Sequence, residues 1–216
     1  MPVTFDPTKR FSTAFPITCC DGQFLGIFNI MKGSPSKKEI KRYPKSIGWT
    51  TNNKKYMNAD AWRMVASYYK KCVIRDYGRD CNQRLLYADN YGVHSKYQED
   101  FENVSGHNVR YLIKNCTSKQ QPIDHDIGVF IQNFVHKAFW KMEREYTELL
   151  RKTGEQPPKM DLPSAQIFMM NTLAKCTEEL RKNRERLLHH AWKGSGITIA
   201  IDGSEDDDFI FDIMNE

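Results

Sequence analysis

The chain has 216 residues, 40% hydrophobic and 12% aromatic, enough to bury a sizeable core and to exclude wholesale disorder. Its net charge of +5 conceals an asymmetry: residues 202–216 hold seven acids and no Lys or Arg, so residues 1–201 carry +12. No apolar run nears the roughly 18 residues of a membrane span, and the start, "MPVTFDPTKR", lacks a signal-peptide layout; the expectation is a soluble intracellular protein with no membrane partner.

A body this basic suits a polyanion, although a solvated basic surface offset by an acidic tail explains the same numbers. The six cysteines (Cys19, Cys20, Cys72, Cys81, Cys116, Cys176) include no CxxC pair and read as free thiols. His189 and His190 are adjacent, roughly 100° apart on a helix, so they do not face one zinc ion together.

In chain order, Thr13–Cys19 and Phe24–Met31 are alternating, β-rich runs joined by Asp21-Gly22, a strong hairpin signal. Residues 34–56 are polar, with Lys/Arg clusters, and read as a loop. Asn58 or Asp60 caps a helix that places Trp62, Val65, Ala66 and Tyr69 on one face. Arg84–Ala88 reads as a short buried strand, 94–105 as a polar helix and Val109–Ile113 as another strand. A turn over Thr117–Pro122 leads into a long amphipathic helix running from Ile123 to about Leu150. "KTGEQPPK" breaks it, a second helix covers roughly 163–192, and Ile197–Ile201 is a last β-like run before "DGSEDDD". The order is that of an α/β fold.

Two carboxylates stand where such a fold places chemistry. Asp89 ends the "LLYA" strand, and Asp124 begins the long helix after the next strand. Strand ends and helix starts gather along one edge of an α/β sheet, where paired carboxylates can hold hard divalent cations such as magnesium. Two such ions stabilise the attacking and leaving oxygens of a phosphoryl displacement. The competing reading makes Asp89 a turn cap and Asp124 a helix cap. Asp126 reads as a first-turn residue favoured by the helix dipole.

"LLYADNYGVH" (85–94), "NCTSKQQPIDHDIG" (115–128), the loop "IGWTT" (47–51) and the hairpin "CCDG…FNIMKG" together resemble the DDE-superfamily endonuclease domain of pogo-type transposases, with its jerky-like and centromere-binding relatives. The likeness spans roughly 10–205, and the Gln-Pro-Ile-Asp motif is its most specific piece. It implies an α/β, RNase H-like (retroviral-integrase-like) mixed sheet flanked by helices, over 10–153. A helical extension over 154–201 and an acidic tail over 202–216 follow.

It further implies DNA as partner, met mostly at phosphates, a nuclear location, and Mg2+ or Mn2+ held by an acidic triad. Asp89 matches the second acid and Asp124 the third; His94 and Asn90 are accessory positions, and Gln121 with Pro122 shapes the turn that aims Asp124. The family's first strand, which ends in the first acid, precedes the hairpin. Here only "MPVTFDPTK" does, and neither Asp6 nor Asp21 fills the place. The expectation is therefore a transposase-derived nucleic-acid-binding domain with an incomplete acid set. The alternative is an active magnesium-dependent endonuclease and strand-transfer domain whose start is truncated. A purely protein-interacting use, and association between copies, stay open. "ITIAIDG" (197–203), an apolar run ending in Asp202, repeats the layout of the absent strand.

Overall fold

The computed structural model describes residues 12–54, 56–79, 84–112, 121–154 and 160–198. A hairpin opens the fold: β1 (Ser12–Thr18) pairs antiparallel with β2 (Phe24–Met31), from Ser12 opposite Met31 to Ile17 opposite Gly26, with an irregularity at Ile17/Thr18. Its turn is closed by Asp21, whose Oδ1 accepts from the Gln23 amide, and by Gly22 at φ 79°, a conformation that glycine adopts without strain.

The polar stretch after the hairpin is more ordered than its composition predicts. Ser36 and Glu39 form a reciprocal capping box at α1 (Lys37–Ile40), and β3 (Gly48–Thr51) pairs parallel with β2, Phe28 facing Gly48 and Met31 facing Thr51. Gly48 is required there: a Cβ would stand 2.5 Å from Tyr68 and 2.6 Å from Phe28. The first sheet thus has the order β1-β2-β3.

α2 (Ala59–Tyr77) starts where Asn58 Oδ1 accepts from the Ala61 amide, 2.8 Å away. A second, two-stranded parallel sheet follows, β4 (Leu85–Ala88) with β5 (Asn108–Tyr111), joined through α3 (Gly92–Lys96) and α4 (Gln98–Ser105). The single helix expected over 94–105 is two, divided at Tyr97.

A π-helical turn (Ile123–Ile127) leads into α5 (Gly128–Thr153), which ends at a left-handed Gly154. The helix expected over 163–192 is also two, α6 (Leu162–Asn183) and α7 (Glu185–Gly194), separated at Arg184. The β-like run Ile197–Ile201 opens with a turn at Ile197 and Thr198, and its remainder, like the acidic tail, lies outside the described residues.

Every residue of β2 is buried because the first sheet is covered on both faces. On one face Leu25, Phe28 and Ile30 meet Trp62, Val65, Ala66, Tyr69 and Val73 of α2. On the other, Phe24, Ile27 and Met31 meet α5, α6 and α7 through Ile131, Phe139, Met170, Leu173 and Leu188. α6 and α7 therefore pack directly on the sheet.

The second sheet shares the α2 core through Ala88 and Val109. Its opposite face is open, so β4 is not the buried strand that "LLYA" suggests: Leu85 is 46% and Tyr87 41% exposed. Alternation along β4 puts only Leu86 and Ala88 toward α2. The molecule is a mixed α/β protein with two small sheets, the first mixed and the second parallel, on a common helix. No helix among the described residues is long and apolar enough to cross a membrane.

Candidate functional site

Asp89 stands one residue past the end of β4, where the backbone turns into α3. A histidine aims its carboxylate. His94 Nδ1 lies 2.6 Å from Asp89 Oδ1 and 3.3 Å from the Asp89 backbone oxygen. Nδ1 thus faces the carboxylate, and Nε2 is buried without a hydrogen-bond partner among the described residues.

The accessory position His94 is a core residue. It is 3% exposed, stacked on the Trp62 indole with ring centroids 4.1 Å apart and edge-on to Phe15 at 5.9 Å. Its backbone oxygen accepts from the Tyr111 hydroxyl at 2.7 Å, which ties α3 to β5. The α2 core thus orients the Asp89 carboxylate at the β4 rim, while Asn90 beside it is exposed.

Asp124 occupies the first turn of the π-helical segment, exposed, its amide donating to the Gln121 oxygen at 2.9 Å. Gln121 therefore closes the turn before Asp124, and Pro122 is buried beneath it. The neighbours Ile123 and Ile127 pack into the α5–α7 core, whereas Asp89 belongs with the α2 core. Among the described residues no group of three or more His, Cys, Asp or Glu is gathered as a metal site would need. Asp89, engaged by His94, does not by itself fit the two-ion arrangement.

Sequence reasoning missed the pair Asp126–His190. His190 Nδ1 lies 2.7 Å from Asp126 Oδ2, linking the π-helical turn to α7. Nothing in the spacing signals a contact between residues 64 positions apart. Asp21, read as a turn residue, also accepts from the Tyr77 hydroxyl at 2.5 Å, which anchors the hairpin to the end of α2.

The basic charge has a structural address. Residues 37–55 hold seven Lys or Arg against the single acid Glu39. Lys37, Lys38, Lys41, Arg42, Lys45 and Lys54 are all exposed, while Tyr43 and Ile47 are buried and fasten the segment to the sheet. The Tyr43 hydroxyl donates to Gln166 Oε1 of α6 at 3.2 Å. No family model, no curated protein and no solved structure matches this chain.

Proposed function

We propose that this chain is a nucleic-acid-binding domain of the RNase H-like, DDE-endonuclease type, derived from a transposase, whose described residues gather no three-carboxylate set. The observation that carries the binding reading is the fastened basic segment. Six exposed cations between Lys37 and Lys54 are displayed by a backbone held at Tyr43, Ile47 and β3. Cations presented on an ordered backbone contact phosphates with little ordering cost, and such contacts position a duplex without reading its sequence.

The endonuclease reading rests on Asp89 at the end of a parallel strand and on His94 beneath it. Magnesium or manganese, where bound, would supply Lewis-acid stabilisation of a phosphate oxygen, and Asp89 would be its ligand. The described residues gather no group of three or more potential ligands around Asp89, so no cleavage step is drawn through a metal.

Reversing the segment's charge tests the binding reading. A K37E/K38E/K41E/R42E variant is expected to bind duplex DNA at least about tenfold more weakly than the parent at low salt. Equal binding by a variant with unchanged circular dichroism would place the interface elsewhere or nowhere.

A further inference from the structure

Ser34-Pro35 is the single place in the 216 residues where a serine or threonine precedes a proline. A proline disfavours helix at the residue before it, and Ser34, Pro35 and Ser36 carry no regular secondary structure. Lys37 follows two positions beyond the proline. Serine, then proline, then a cation at that spacing is the acceptor pattern of proline-directed protein kinases. Such enzymes take the acceptor in extended form, and the next residue has no amide to be satisfied when it is proline.

The fold displays this stretch between two fixed points. On one side Gly33 turns the chain away from β2 at φ 100°, and Gln166 Nε2 of α6 donates to the Lys32 oxygen at 2.5 Å. On the other, Ser36 and Glu39 close the capping box of α1. Between them Ser34 is exposed and Pro35 half-buried.

The two serines are not equivalent. Ser36 Oγ accepts from the Glu39 amide at 3.3 Å, so a group added there dismantles the cap. Ser34 stands outside the helix and its cap. α1 is a single turn of four residues, so drawing Lys37 out into a kinase groove costs little.

We propose that Ser34 is the acceptor of a proline-directed kinase, and that its phosphate turns down the basic segment. The γ-phosphoryl group of ATP passes to Ser34 Oγ. The bond from phosphorus to the ADP oxygen breaks, the Oγ–P bond forms, and the hydroxyl proton goes to the kinase's base. At pH 7 the phosphate carries about −1.5 to −2. It stands in sequence between Lys32 and the pair Lys37 and Lys38, all exposed. Residues 32–45 hold six Lys or Arg and one acid, a charge of +5 that the phosphate lowers to about +3. Phosphate oxygens that engage Lys37 and Lys38 withdraw two cations from a duplex.

The acceptor site stands apart from the functional reading, whereas its effect on binding rests on that reading. The full chain, treated with a proline-directed kinase and ATP, is expected to carry one phosphate, mapped to Ser34 by tandem mass spectrometry. Ser34→Ala and, separately, Pro35→Ala should each abolish incorporation, and untreated Ser34→Ala should bind duplex DNA as the parent does. The phosphorylated chain is expected to bind duplex DNA at least about fivefold more weakly at low salt, with a salt dependence shallower by about two counterions. No incorporation, incorporation at Ser36, or incorporation that survives Pro35→Ala overturns the acceptor site, whatever the DNA result. Phosphate on Ser34 with duplex binding unchanged overturns the switch. Phosphate on Ser34 of a chain that binds no DNA in either form overturns the switch and the functional reading together.

Discussion

The imidazole of His94 lies on the indole of Trp62, ring centroids 4.1 Å apart and planes 26° from parallel, and its Nδ1 reaches up to Asp89. One core side chain thus sets the position of the carboxylate at the β4 rim. Replacing His94 by Ala opens a cavity between Trp62, Phe15 and Tyr91 and frees Asp89. The expected loss is about 2–4 kcal/mol in urea unfolding with the slope unchanged.

Asn29, fully buried in the middle of β2, is a weak point of the fold. Among the described residues its Nδ2 has the Met170 sulfur, at 3.5 Å, and its Oδ1 has no partner. A buried amide half satisfied in this way costs more than an apolar side chain of the same size. Asn29→Leu is expected to raise stability by about 1 kcal/mol, read as a shift of the denaturation midpoint.

Acid should loosen the seam between α2 and α6 through Asp76. Burial alone would raise its carboxyl, but hydrogen bonds from Arg75 and Arg181 outweigh that and hold it at about 2, below the ordinary 3.8. Arg181 reaches it at 2.8 Å from α6. A carboxyl depressed in the folded state contributes stability that is fully present above its unfolded value and is lost as pH falls toward about 2. Asp76→Asn is expected to lower the melting temperature at neutral pH and to flatten the fall between about pH 4 and pH 2. An unchanged acid limb in the variant would assign that fall to other carboxylates.

Removing residues 202–216 takes away seven acids and leaves the +12 body. Binding to duplex DNA is expected to tighten by several-fold at low salt, measured by anisotropy against the full chain. The intact chain is expected not to cut a supercoiled plasmid with magnesium. Cleavage that Asp89→Asn abolishes would establish the endonuclease instead.

Where sequence carried local signals, the fold was legible. Asp21-Gly22 announced the hairpin, Asn58 the start of α2, and the spacing from Ile127 to Phe139 the long α5. What stayed hidden depends on distant partners. β3 is four residues whose reason to be a strand is β2, and α1 rests on a capping box inside a stretch otherwise polar.

Arg184 and Tyr97 interrupt helices whose apolar periodicity continues across them. The apolar "LLYA" suggested full burial, which needs a cover on both faces; Leu86 and Ala88 meet the α2 core, and Leu85 and Tyr87 stay exposed. Asp89 was legible as a strand-end carboxylate. The burial of His94 was not, because Trp62 and Phe15, which enclose it, come from α2 and β1.

The most direct measurement is a fluorescence titration of the full chain with duplex DNA of two unrelated sequences, at about 50 mM and about 200 mM salt. Release of counterions by several cations should weaken binding by at least about tenfold across that interval, equally for both sequences. Binding absent at low salt, or unchanged between the two salts, would contradict a phosphate-contacting role for the segment from Lys37 to Lys54.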